Sequence, residues 1–167
     1  MGILGSGDEG RTRLGIFPTR ILLATDGSEQ ADLAAKVAMD LAEATGSRLH
    51  VVAVGRTFPT AAIYRDYAKT AQEDLRREAR EILDEQVRKI EDAGGHVAIA
   101  HLKFDERRDE AIVHLAEDIG AGMIVMGSRG YGGMKRAVLG NVADSVVRHA
   151  HCPVLVVRPS EGVSTPF

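Results

Sequence analysis

Gly127, Gly130, Gly132, Gly133 and Gly140 stand within one stretch, residues 126–142, that reads MGSRGYGGMKRAVLGNV. An apolar run over 121–126 precedes it and has the look of a fully buried strand. An apolar-periodic segment over 142–150 follows it and reads as a helix. A glycine-rich turn between a strand's carboxyl end and a helix can aim several backbone N–H groups at one anion, and the helix terminus adds partial positive charge. Glycine suits such a turn because a Cβ blocks both φ > 0 and the close approach of a phosphate. The chemistry this pattern predicts is a phosphate cradle for a nucleotide. A glycine loop without a ligand is the other reading of glycine content alone. Two named motifs are absent. A P-loop ends in Gly-Lys-Ser or Gly-Lys-Thr, whereas Lys135 lies between Met134 and Arg136. Gly130, Tyr131 and Gly132 open a dinucleotide fingerprint, but Lys135 occupies the place of its third glycine.

The other reactive side chains offer less. Arg129 either pairs with phosphate charge, for which a guanidinium is well shaped, or is an exposed loop arginine. Lys135 and Arg136 read as solvated surface. His50, His96, His101, His114, His149 and His151 show no metal-ligand spacing supported by cysteine or carboxylate, and read as structural. Ser28 and Ser128 lie outside any G-x-S-x-G, which argues against a hydrolase nucleophile. Cys152, the only cysteine, reads as a buried small hydrophobe; it rules out an intrachain disulfide and fits a reducing cytoplasm.

These residues need elements to position them. Residues 21–25 form an apolar run, a first strand, broken by Asp26 and Gly27. Ser28 is a good N-cap for a helix carrying Ala31, Ala34, Ala35, Ala38, Leu41 and Ala42, which Gly46 ends. A second strand spans 49–54 and an irregular connection 55–67. Ala68, Ala71, Leu75, Ala79, Ile82, Leu83, Val87 and Ile90 then mark one face of a long helix that stops at Gly94 and Gly95. A third strand follows over 96–104, then an amphipathic helix with Ala111, Ile112, Leu115, Ala116 and Ile119. The fourth strand, the glycine stretch, the last helix and a final strand, Val154–Val157, complete the chain. Residues 1–18, with no sustained apolar run to suggest a secretory signal or membrane anchor, read as a flexible tail, as do 160–167. One domain over 19–159 remains.

Composition fits this organisation. The chain has 167 residues, 44% hydrophobic and 27% charged, as expected of one globular domain with a sizeable core. A net charge of −3 gives no electrostatic case for a nucleic-acid backbone. Strands that alternate with helices and read as continuous apolar runs predict a doubly wound α/β fold, a parallel sheet with helices on both faces. Ligands of such folds bind beyond the carboxyl ends of the strands, where strand order reverses. Sequence physics alone does not fix that order.

The glycine stretch contains G-x2-G-x9-G as Gly127, Gly130 and Gly140, followed by Asn141. Ile124, Val125 and Met126 precede it, Cys152-Pro153-Val154-Leu155-Val156-Val157 follows, and the first strand ends in Leu23-Ala24-Thr25-Asp26-Gly27-Ser28. In these three separated pieces the chain resembles the universal stress protein family, its single-domain ATP-binding branch in particular, over residues 20–158. The resemblance implies an adenine nucleotide alpha-hydrolase-like fold, a five-stranded sheet in the order 3-2-1-4-5. It implies ATP, with Mg2+, as the ligand. Asp26 and the backbone near Val54 would contact adenine, with Ala24 and Thr25 beside them. Met126, Gly127 and Gly130 would line the ribose and phosphates, together with Arg129; Gly140, Asn141 and Val142 would hold phosphate. It also implies a homodimer through the exposed apolar edge Val154–Val157, which strand-edge chemistry favours too. Asn141 and Ala143 depart from the usual hydroxyl residues. Asn141 can still cap the helix and donate to a phosphate oxygen. Lys103, Phe104 and Asp105 stand where a glycine is common.

The function expected is an ATP-binding regulatory protein of the stress response, a nucleotide-dependent dimeric switch read by another protein. The alternatives are a slow ATPase or nucleotidyl-transfer enzyme, and a nucleotide-free dimeric interaction module. Hydrolysis needs a positioned metal and an aligned water. Asp26 is the one acidic residue the sequence places near the crevice, so no catalytic residues are assigned and no enzyme is expected.

Overall fold

A computed structural model describes residues 15–57, 65–130 and 139–159. The chain runs β1 (Arg20–Thr25), α1 (Glu29–Thr45), β2 (Arg48–Arg56), α2 (Arg65–Asp92), β3 (Val97–Asp105), α3 (Arg108–Asp118), β4 (Ala121–Gly127), α4 (Asn141–His149) and β5 (Val154–Val157). The five strands form one parallel sheet in the order β3-β2-β1-β4-β5. Strand order reverses between β1 and β4, which places their carboxyl ends side by side at the crevice expected of this topology.

Alternation along β1 assigns its side chains to two cores. Ile21 and Leu23 pack with Ala34, Ala35, Ala38, Leu83 and Ile90 from α1 and α2. Leu22 and Ala24 pack on the opposite face with Ile112, Leu115, Ala143 and Val146 from α3 and α4. Ile21, Leu22 and Leu23 of this central strand are fully buried, and each contributes roughly 1.5–3 kcal/mol. The buried face of α1 consists of alanines, so that helix can lie close to the sheet. Its ends form as the sequence predicts. The Ser28 hydroxyl accepts the Ala31 N–H at 3.2 Å, and Gly46 adopts φ 65° while Ser47 N–H donates to the Ala42 carbonyl at 2.9 Å.

Several boundaries differ from the sequence expectation. Strand β2 continues through Gly55 to Arg56, and α2 begins at Arg65, so the irregular connection is shorter than 55–67; residues 58–64 lie outside the described residues. Gly55 stays in the strand because it pairs with Phe104 of β3 and lies beneath α2. A Cβ at 55 would lie 2.7 Å from the Phe104 ring and 2.9 Å from the Ala79 Cβ. Lys103 and Phe104 lie in β3 as expected and Asp105 extends it by one residue, with the Arg76 guanidinium 5.0 Å above the Phe104 ring. Helix α4 is capped by Gly140, and Asn141 is its first residue, not its cap. Cys152 is half-buried rather than buried; partial burial still pushes its thiol pKa up. The expected tails fall partly (1–14) and wholly (160–167) outside the described residues, while Phe17 packs against the α1–α2 core. Among the described residues no helix is long and apolar enough to cross a membrane.

One polar pair sits in the sheet itself. His50 of β2 is 2% exposed, and its Nδ1 lies 3.0 Å from Nε2 of His101 on β3. Burial lowers the pKa of both rings below the ordinary 6.5, and each is opposed by positive neighbours: His101, Arg48 and Arg20 for His50, Lys103 for His101. The accepting ring must be neutral to offer its lone pair, and with burial holding both rings below their ordinary pKa the folded protein keeps this pair uncharged at neutral pH.

Two predictions follow from the packing. Gly55→Ala should lower the unfolding free energy by about 1–3 kcal/mol through overpacking, read from urea denaturation, with part of the loss recovered by Phe104→Leu. Because the unfolded histidines take up protons first, stability should be full above pH ~6.5 and fall as the pH drops below it. The urea midpoint should therefore be lower at pH 5 than at pH 7.5, with a smaller difference in a His101→Gln variant. A higher midpoint at pH 5 would rule out the neutral pair as the source.

Candidate functional site

Two turns meet at the carboxyl ends of β1 and β4. The first is Asp26-Gly27-Ser28. Asp26 Oδ1 accepts the Ser28 N–H at 3.1 Å, and Gly27 takes φ 78°, which an L side chain rarely adopts. The Gly27 N–H donates to Thr25 Oγ1 at 3.2 Å, and the Thr25 hydroxyl donates onward to Gln86 Oε1 at 2.7 Å. The second turn leaves β4 at Ser128, which is 2% exposed. Each polar atom of Ser128 is committed: N–H to the Val157 carbonyl at 2.9 Å, carbonyl to the Gly140 N–H at 2.8 Å, and hydroxyl to Gln30 Oε1 at 2.7 Å. The same Gln30 oxygen accepts the Arg129 N–H at 2.8 Å.

The motif glycines are where the turns touch. A Cβ at Gly130 would lie 1.9 Å from Asp26 Oδ2, so the carboxylate fills the place of the missing side chain. A Cβ at Gly127 would lie 2.9 Å from the backbone of Gln30. At Gly140, by contrast, the nearest atoms among the described residues would be 3.4–3.5 Å away, an ordinary contact, and φ is −64°. None of the three has positive φ. The sequence reading assigned these glycines to turn geometry and phosphate approach; at 127 and 130 the close approach is that of the protein to itself.

Of the predicted site residues, Asp26, Gly127, Arg129, Gly130, Gly140, Asn141 and Val142 are brought together around these turns. Val54 follows Ala53, the register partner of Thr25, so its backbone stands beside the Asp26 turn. Ala24, Met126 and Thr25 present little to the crevice. The first two are buried in the α3–α4 core, and Thr25 is 7% exposed, with its hydroxyl held by Gln86. Gly132, Gly133, Lys135 and Arg136 lie outside the described residues.

Hydrogen-bond accounting narrows where an anion can bind. The N–H groups of Ser128, Arg129 and Gly140 are already spent on the protein. The first intrahelical bond of α4 runs from Asp144 N–H to the Gly140 carbonyl, and Gly140 supplies no side-chain cap. Among the described residues the N–H groups of Asn141, Val142 and Ala143 have no acceptor outside the helix and form its open first turn, at the positive end of the helix dipole. Asn141 is exposed there, with its carboxamide available to donate. Among the described residues no three His, Cys, Asp or Glu side chains are placed to hold one metal ion.

Sequence reasoning missed two residues, Gln30 and Gln86. Gln86 interrupts the apolar stripe of α2 between Leu83 and Ile90 and is 1% exposed, which is a readable anomaly. Gln30 carries no such mark, since its partners are 98 and 99 residues away.

Residues 18–158 match the model of the Usp, or universal stress protein, family. A protein of Staphylococcus aureus (strain USA300) assigned to that family is 33% identical over 143 residues, 84% of each chain. The solved structure of hypothetical protein MJ0577 superposes with a TM-score of 0.74 at 26% identity, covering 87% of this chain and 99% of that one. The universal stress protein of Archaeoglobus fulgidus, solved in complex with dAMP, gives 0.59 at 25% identity, with 85% and 98% covered. A universal stress protein solved in complex with cAMP gives 0.55 at 26% identity, with 86% and 99% covered. The motif, the strand order and these likenesses agree: the chain belongs to the universal stress protein family.

Proposed function

We propose that this protein binds an adenine nucleotide, ATP with Mg2+ in its working state, in the crevice between the β1 and β4 turns, and acts as a dimeric regulator in the stress response. The observation that carries this reading is the pairing of two complementary ends in one crevice. The Asp26 carboxylate, seated against Gly130, offers an acceptor for an amino group of the base. The uncapped first turn of α4, reached through Gly140, offers donors to phosphate. Family members in complex with dAMP and cAMP support adenine as the base. ATP in place of a monophosphate rests on the intact Gly127, Gly130 and Gly140 spacing.

The residues present give a binding site more readily than a catalytic one. Asp26 is tied to its own turn and to the Gly130 approach, which suits recognition of a base better than activation of water. We therefore assign regulation rather than turnover, in a cytoplasmic setting consistent with the single unpaired Cys152. The dimer would use β5, which ends the sheet order and, among the described residues, pairs only with β4.

The reading is tested by denaturing protein purified without added nucleotide, identifying what is released, and titrating ATP·Mg2+. Micromolar binding is expected. Gly140→Val should weaken it at least about tenfold while lowering nucleotide-free stability by no more than about 1 kcal/mol, the scale of losing a favourable N-cap. Equal ATP binding by this variant would remove the α4 terminus from the site. Asn141→Ser should strengthen binding by up to about tenfold, the scale of one hydrogen bond. Sedimentation should find a dimer; a monomer at tens of micromolar would leave β5 as a plain edge.

A further inference from the structure

We propose that Gln30 is the positioning residue of the nucleotide site, the latch that sets the distance between its base end and its phosphate end. The proposal rests on the nucleotide-binding reading for its ligand, though not for its structural step. Gln30 is the second residue of α1, and α1 starts three residues beyond Asp26. Its backbone and Cβ pack against Gly127, with 2.9–3.0 Å separating them from an imagined Cβ there. Its carboxamide oxygen then accepts two donors, the Ser128 hydroxyl at 2.7 Å and the Arg129 N–H at 2.8 Å. A carbonyl oxygen has two lone pairs, so this acceptor is fully used and the amide is fixed in orientation.

The consequence is mechanical. The bonds of Ser128 to Val157 and Gly140 continue the sheet and close the loop on itself. Gln30 adds a side-chain tie across to α1, the helix whose N-cap turn holds Asp26. It thus joins the carboxylate proposed for the base to the segment that enters Gly130 and returns at the α4 terminus. It also consumes the Arg129 N–H, which leaves phosphate to the first turn of α4. A neutral side chain suits that place. Glutamate would keep the acceptor oxygen and the size but put a negative charge beside the phosphate loop.

Two substitutions separate positioning from mere support. Gln30→Leu removes the acceptor, so the Arg129 amide should exchange its hydrogen at least about tenfold faster in nucleotide-free protein, and ATP affinity should fall about tenfold. Gln30→Glu keeps both bonds, so exchange and melting temperature should stay near wild type while ATP weakens several-fold more than adenosine, with the gap closing at high salt. Unchanged Arg129 exchange in Gln30→Leu would overturn the latch whatever the ligand does. Faster exchange with unaltered ATP affinity, or equal losses for ATP and adenosine in Gln30→Glu, would reduce Gln30 to a structural contact. Wild-type protein that binds no adenine nucleotide would overturn the positioning role together with the nucleotide reading, and normal exchange behaviour would show that the latch itself had held.

Discussion

The carboxylate of Asp26 fills the space that a side chain at position 130 would need, and much of the site depends on that approach. It exists because β1 and β4 are neighbours at the reversal of strand order, with Ala24 and Met126 in register. Two successive loops with ordinary side chains could not close so tightly. Glycine at 130 lets the β4 turn come down onto the β1 turn, and glycine at 127 lets α1 lie against the end of β4. The crevice is therefore narrow before any ligand enters, and a ligand spanning it meets a carboxylate at one side and helix N–H groups at the other.

Beneath the crevice, buried polar groups hold the turns. Gln86 reaches from α2 to Thr25, whose hydroxyl in turn receives the Gly27 N–H. Gln30 reaches from α1 to Ser128 and Arg129. Such groups are costly to bury unless bonded, and the accounting is not complete: Gln86 Nε2 and His50 Nε2 are buried without a hydrogen-bond partner among the described residues. An apolar residue at 86 would avoid the orphaned amide but would abandon Thr25, loosening the turn that aims Asp26. A buried amide with one good bond and one missing one is consistent with geometry of the turn being retained at some expense of stability.

What could be read in the sequence was what local physics determines. Apolar runs located all five strands, and Ser28 and Gly46 located the ends of α1 because caps act within a few residues of themselves. Strand β2 was read short and β3 one residue early, since Arg56 and Asp105 look like loop residues until Gly55 is seen pinned between Phe104 and Ala79. The order of the strands came from family resemblance, because apolar runs do not state their neighbours. Asn141 was read as a possible cap from its residue type, but Gly140 already holds the extended backbone of a cap. Gln30 was invisible for a different reason: a hydrogen bond across 98 residues leaves no periodicity and no spacing to detect.

The three motif glycines are thus alike in sequence and unlike in physical cause. Two are demanded by the folded chain, since an added Cβ would strike Gln30 or Asp26, and they would be needed with or without a nucleotide. Gly140 has a negative φ and, among the described residues, room for a Cβ, so they do not require it to be glycine. A serine there would cap α4 better, stabilising the helix by a few tenths of a kcal/mol over glycine, and would also occupy the donors of its first turn. A glycine that forgoes that gain leaves those N–H groups without a partner among the described residues, open to water or to a ligand. The residue least needed by the fold is therefore the one whose identity the proposed ligand would have to explain.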